Sequence, residues 1–79
     1  MRLFLFFSKE KKMMVQRLAR YPFTTTSFLS TICIDGYYEI ALVKEGEITI
    51  LEQFEDELTA LRYHFIYIGV VEEYLYNYL

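Results

Sequence analysis

The stretch that decides the fold is SFLSTICIDGYYEIALVKEGEITILEQF, residues 27–54. It contains three runs rich in β-branched and aromatic residues, separated by IDG at 34–36 and KEG at 44–46. Short apolar runs bounded by glycine-containing turns are typical of consecutive antiparallel strands. The sequence therefore predicts a three-stranded β-meander over about 27–54.

The lengths of the two turns determine which side chains share a face of this sheet. Asp-Gly first suggests a two-residue hairpin loop, but that loop would place Ile32 on the same face as Glu39. A three-residue loop that ends at Gly36 pairs Ile32 with Tyr38 instead, and a second such loop ends at Gly46. One face then holds Phe28, Ile32, Tyr38, Ile40, Leu42, Ile48 and Ile50, and the other holds Thr31, Cys33, Glu39, Val43, Glu47, Thr49, Leu51 and Gln53. Because a one-residue slip inverts every side chain, we expect burial to select the three-residue loops.

The segment before the meander favours a helix. Its apolar side chains recur at spacings of three, four and seven, which place them on one side of a helix: Leu3, Phe7, Met14, Leu18 and Tyr21. An alternative is a shorter helix over 9–20, capped by Ser8, with LFLFF (3–7) as a strand. In either case Tyr21-Pro22 ends the helix, because the residue before proline is pushed out of the α region. FTTTS then forms a linker into the meander.

A long helix is predicted after Phe54. The acids at 55–57 suit the positive N-terminal end of a helix. Apolar residues around and after these acids form two stripes at helical spacing. One stripe is formed by Leu51, Phe54, Leu58, Leu61, Phe65, Ile68, Leu75 and Leu79, and the other by Tyr63, Tyr67, Val70 or Val71, Tyr74 and Tyr78. One helix fits this spacing, and so do two helices divided near Gly69. A competing interpretation makes YHFIYIGVV, residues 63–71, a strand.

These elements combine into one α+β domain over residues 1–79. An N-terminal helix precedes the meander, and the C-terminal helix or helix pair packs on one sheet face. A chain of 79 residues has little interior, yet 54% of its residues are hydrophobic and 19% are aromatic. We therefore expect some of its eight tyrosines and seven phenylalanines to form an exposed patch, which usually marks an interface.

No arrangement typical of a catalytic or metal site is visible. His64 and Cys33 are the only histidine and cysteine, and we expect them on the helix surface and the outer sheet face, apart from each other. They are too few for a structural zinc site, and the acids at 55–57 lack the spacing of a calcium loop. The three glycines form no phosphate-binding loop. We predict a protein that is not an enzyme and has no cofactor.

The sequence also favours a cytoplasmic protein without membrane association. A single cysteine allows no internal disulfide. The start, MRLFLFF, lacks the longer apolar region and cleavage site of a signal peptide. The longest apolar run, residues 63–71, is far shorter than the ~20 residues that span a bilayer.

The basic residues are concentrated at one end of the chain. KEKKMMVQRLAR, residues 9–20, has five basic residues and one acid, although the net charge of the chain is −3. Lys9, Lys12, Arg17 and Arg20 are candidate contacts to an anionic partner. A nucleic acid is the alternative partner, which the overall acidity disfavours. An acidic protein, or a solvated helix face, explains the same residues.

The predicted order of helix, three strands and helix resembles that of double-stranded-RNA-binding domains. Those domains place a lysine-rich stretch at the start of the second helix. This chain has EQFEDEL, residues 52–58, at that point. The resemblance therefore concerns topology, and no contact residue of that family carries over.

Tyrosine is concentrated near the C-terminus, with five of the eight in the last seventeen residues. Tyrosine is enriched at interaction hot spots, and one helix cannot bury both stripes against a three-stranded sheet. We predict a protein interface formed by Tyr63, Tyr67, Glu72, Glu73, Tyr74 and Tyr78, in a homodimer or with another protein. Small acidic, tyrosine-rich α+β proteins resemble phage-encoded inhibitors, including anti-CRISPR proteins. That resemblance implies a phage or mobile-element inhibitor or adaptor that occludes a partner's surface.

Overall fold

The computed structural model describes residues 15–77. They form four antiparallel strands and one helix: β1 Val15–Pro22, β2 Ser27–Ile34, β3 Tyr37–Lys44, β4 Glu47–Phe54 and α1 Glu57–Asn77. The strand order in the sheet is β1-β2-β3-β4, and α1 contacts all four strands. The α+β class is confirmed. The predicted three strands are β2 to β4 of a four-stranded meander.

Residues 15–22 form β1, the first strand of the sheet among the described residues, so the predicted N-terminal helix is wrong over this segment. The backbone groups of β2 need partners along both edges, and β1 provides them on one side. A β-bulge between Arg17 and Ala19 interrupts the pairing. It breaks the two-residue alternation of a strand, so the spacing of Leu18 and Tyr21 resembled that of a helix. The predictions for residues 1–14 lie outside the described residues.

Both hairpin loops of the predicted meander contain two residues, so the three-residue loops were wrong. The closing pairs are Ile34–Tyr37 and Lys44–Glu47. The loop residues all have positive φ: Asp35 48°, Gly36 87°, Glu45 53° and Gly46 85°. Positive φ at both central positions is the type I′ geometry, which follows the right-handed twist of the flanking strands.

The shorter loops shift the register by one residue and divide the predicted apolar face between the two sides of the sheet. Thr31 pairs with Ile40, and Cys33 pairs with Tyr38, so both lie on the helix side and not on the outer face. The face away from α1 holds Phe28, Ile32, Ile48 and Ile50. Burial did not select the register because most positions on both faces of β2 are buried or half-buried.

The core lies between the sheet and α1. Leu29 and Ile40 are fully buried and pack with Val71 of the helix. Burying a side chain of this size stabilises the fold by about 1.5–3 kcal/mol. The half-buried residues around this centre are Tyr21, Phe23, Leu42, Leu51, Phe54, Tyr67, Ile68 and Leu75.

The helix begins at the predicted acidic segment. Oδ2 of Asp56 accepts hydrogen bonds from the backbone N and from Oγ1 of Thr59, each 2.8 Å long. These two bonds lower the pKa of Asp56, and they satisfy one of the free N–H groups of the first turn. From Glu57 the helix continues through Gly69 to Asn77. The strand over 63–71 and the division near Gly69 are therefore both wrong.

Candidate protein-binding face

The side of α1 that points away from the sheet is apolar and exposed. Phe65 and Tyr76 are 72% and 80% exposed, and Leu58, Ile66 and Val70 each expose more than half of their surface. A helix turns by about 100° per residue, which brings these positions to one side. We call this side the outward face and include Arg62, Gly69 and Glu73, which are exposed on it. A cluster of exposed apolar side chains rimmed by charged residues is typical of an interaction site.

A row of four residues runs along the middle of the outward face. Arg62, Ile66, Gly69 and Glu73 follow one another at spacings of four, three and four, so they lie nearly in line along the helix. A cation stands at one end of the row and an anion at the other, about 16 Å apart along the axis at 1.5 Å per residue. The middle of the row is an apolar side chain next to a glycine.

Gly69 has no explanation within the described fold. Glycine in a helix interior costs about 1 kcal/mol relative to alanine. A Cβ at Gly69 would meet no atom within 4 Å, so the space around it does not require glycine. What glycine supplies here is a place where another backbone can approach closely. A groove adjoins this position on the β1 side, lined by Tyr21, Pro22, Phe23, Thr24, Gly69, Glu72, Glu73, Leu75 and Tyr76.

Two of the predicted interface tyrosines contact residues of β4. The ring of Tyr63 stacks on that of Phe54, with centroids 5.1 Å apart. The Tyr67 hydroxyl donates a hydrogen bond of 2.7 Å to Oε1 of Glu52. This bond is the main cause that raises the pKa of Tyr67. Tyr63 remains partly exposed and Tyr67 is half-buried, and their contact with a partner stays a prediction.

The other predicted interface residues are divided between the two sides of α1. The Tyr21 hydroxyl donates a hydrogen bond of 3.0 Å to Oε2 of Glu72, which raises the pKa of Tyr21 and joins α1 to β1. Glu73 belongs to the outward face. Tyr74 is 49% exposed, and Tyr78 lies outside the described residues. Sequence reasoning did not include Leu58, Phe65, Ile66 and Gly69 in the exposed face of the helix. It assigned Leu58 and Phe65 to the apolar stripe that was expected to pack on the sheet.

Two of the four basic residues of the alternative site lie on a strand. Arg17 and Arg20 belong to β1, so they do not form an edge of a helix. The Arg20 Cζ lies 4.1 Å from the centroid of the Phe28 ring, a cation–π contact on the face away from α1. Lys9 and Lys12 lie outside the described residues.

His64 is buried, where the sequence predicted a surface position. Its Nδ1 lies 2.8 Å from Oγ1 of Thr31, and its exposed fraction is 3%. Burial lowers its pKa, which favours the neutral imidazole. The spacing of His64 from Ala60 and Val71, the other buried residues of α1, was the signal that could have shown this. Cys33 is half-buried and forms no disulfide.

Two kinds of site are absent from residues 15–77. No three His, Cys, Asp or Glu side chains in this part of the chain lie close enough together to hold a metal ion. The helix of this segment is not apolar enough over a sufficient length to cross a membrane.

Comparison of the chain with protein-family models, with curated proteins and with solved structures gave no match.

Proposed function

We propose that this chain is a non-enzymatic protein-binding module that contacts its partner through the outward face of α1. The observation that carries the proposal is the exposure of five large apolar side chains along one side of one helix. A helix that presents apolar side chains at three- and four-residue spacings is a recurring mode of protein recognition.

The energetics favour covering this face. A side chain such as Phe65 or Ile66 gains about 1.5–3 kcal/mol when it moves from water into an apolar contact. A few such residues at the centre of an interface carry most of the binding energy. The bonds from Tyr21 to Glu72 and from Tyr67 to Glu52 hold α1 on its own sheet. The face is thus pre-organised, which lowers the entropic cost of binding.

The mode of action that we propose is occlusion. A module without catalytic groups acts by covering a surface of its partner, as a cytoplasmic adaptor or inhibitor of the phage or mobile-element kind does. Glu73 and Arg62 at the ends of the row would select the partner by charge, because complementary charges set register and specificity.

A pull-down with matched variants tests the proposal. Tagged wild type, Ile66→Glu and Ile48→Glu are used as bait in lysate of the source organism, with and without nuclease. Ile48 is the control because it is also exposed, at 42%, but lies on the sheet face away from α1. We expect wild type and Ile48→Glu to capture the same protein and Ile66→Glu to lose it, with or without nuclease.

Two results would contradict the proposal. Capture by all three baits would show that the outward face is not the contact. Loss of all bound material on nuclease treatment would favour nucleic-acid binding through residues 9–20. Purified Ile66→Glu must keep the circular dichroism of the wild type, so that loss of capture is not loss of folding.

A further inference from the structure

We infer that in the free protein the outward face binds a second copy of this chain, through antiparallel packing of two α1 helices. The inference rests on the proposed function, because it names the occupant of the same face. The order of charges and side-chain sizes along the central row of that face favours this arrangement.

The central row is complementary to itself when it is reversed. A two-fold axis perpendicular to α1, level with the midpoint between residues 67 and 68, brings Arg62 of one copy level with Glu73 of the second copy. The same axis brings Ile66 level with Gly69 of the second copy. Because the operation is two-fold, each contact occurs twice. Opposite charges meet at both ends, and a side chain meets a glycine at two points between them.

A parallel arrangement does not have this property. It would place Arg62 beside Arg62 of the second copy and Glu73 beside Glu73, which is repulsive at both ends. It would also place isoleucine against isoleucine and glycine against glycine, which leaves one contact crowded and the other empty. Charge and size therefore both select the antiparallel arrangement.

The antiparallel dimer gives a physical reason for a glycine at position 69. Helices pack with their axes 8–10 Å apart, depending on the side chains between them. With no Cβ at Gly69, Ile66 of the second copy can enter the row and the axes can reach the shorter end of that range. The two-fold axis also brings Leu58 within one residue of the level of Tyr76 of the second copy, on one flank of the row, so further exposed apolar surface is covered.

Charge reversal with rescue tests the inference. Sedimentation equilibrium is measured for wild type, Arg62→Glu, Glu73→Arg, the double variant and an equimolar mixture of the two single variants. Each single variant replaces two attractive pairs with two repulsive pairs, so we expect its dimer dissociation constant to rise about tenfold. The double variant and the mixture restore opposite charges at both ends, and we expect both to dimerise like the wild type.

The control is Lys44→Glu, which makes the same charge change at an exposed residue of β3 and should leave the dissociation constant unchanged. Added salt should reduce the difference between wild type and the single variants, since it screens exposed charges. Single variants that weaken the dimer without rescue in the mixture would overturn the antiparallel pairing.

A second variant tests the glycine directly. Gly69→Leu adds a good helix former at a position where the monomer has open space, so the helical circular dichroism should be retained. We expect its dimer dissociation constant to rise at least tenfold, because the added side chain occupies the place of Ile66 from the second copy. An unchanged dissociation constant would overturn the inference.

The failure of this inference can be told apart from the failure of the proposed function. If the wild type stays monomeric at every concentration and the Ile66→Glu bait no longer captures the protein that the wild-type bait captures, the dimer is overturned and the binding function is left in place. If the wild type is monomeric and the Ile66→Glu bait captures the same protein as the wild-type bait, both are overturned.

Discussion

Oγ1 of Thr31 and Nδ1 of His64 lie 2.8 Å apart across the boundary between β2 and α1. Both residues are buried, so this is a polar contact inside the core, with each group satisfying the other. Its presence makes the folded state sensitive to the protonation of one histidine.

The stability of the fold should therefore fall as the pH decreases through the range where His64 titrates in the unfolded chain. Burial lowers the pKa of His64 in the folded state below the value of about 6.5 for an unfolded chain. The unfolded state binds the proton more readily, so the stability contribution is complete above about pH 6.5 and is lost as the pH falls toward the folded pKa.

Urea unfolding between about pH 7.5 and pH 5 measures this, with His64→Gln as the comparison. We expect the wild type to lose stability over this range and the variant to show a much flatter profile. The lowered pKa of Asp56 acts only below about pH 4 and does not interfere. Equal slopes for the two proteins would show that His64 is not the group responsible.

Glu45→Asn should stabilise the fold. Glu45 has a φ of 53°, in the left-handed region that costs most non-glycine residues about 1–2 kcal/mol, whereas asparagine tolerates it and suits type I′ loops. We expect the free energy of unfolding to rise by about 0.5–1 kcal/mol in denaturant titrations. Glu47→Asn, the same replacement in strand β4, is the control and should give no gain. If the loop had three residues, Glu45→Asn would raise the free energy of unfolding no more than Glu47→Asn does.

Alanine should have opposite effects at two of the glycines. Gly69→Ala in α1 has open space around the new Cβ and should raise the free energy of unfolding of the monomer by about 1 kcal/mol. Gly36→Ala also has open space, but its φ of 87° is strained for alanine, and it should lower stability by about 1–2 kcal/mol. Measurement at low protein concentration avoids the contribution of self-association. Two changes of the same sign would contradict this assignment of backbone geometry.

Removal of two isoleucine side chains distinguishes the observed sheet register from the predicted one. Ile40 is fully buried under α1, whereas Ile50 is 39% exposed on the opposite face. Ile40→Ala should cost about 2–5 kcal/mol, as a large-to-small change in a core does, and Ile50→Ala should cost clearly less. The predicted register paired these two residues on one buried face, so comparable losses would favour it.

The meander and the C-terminal helix were predicted with useful accuracy, because their signals are local. The predicted strands match β2 to β4, and the helix begins next to the acids at 55–57 as expected. The C-terminal helix has the exposed large apolar side chains that the composition led us to expect. Tyr63 and Tyr67 contact Phe54 and Glu52, and their role at an interface stays a prediction.

By itself, the sequence determined the α+β class, the two turns at Gly36 and Gly46, and the start of the helix. These features depend on glycine at positive φ and on carboxylates near free N–H groups, which neighbouring residues suffice to specify. Only the tertiary structure decided that residues 15–22 are a strand, that the loops have two residues, and that His64 is buried. Each of these depends on segments distant in the chain: the open edge of β2, the twist of the paired strands, and the packing of α1 on Thr31.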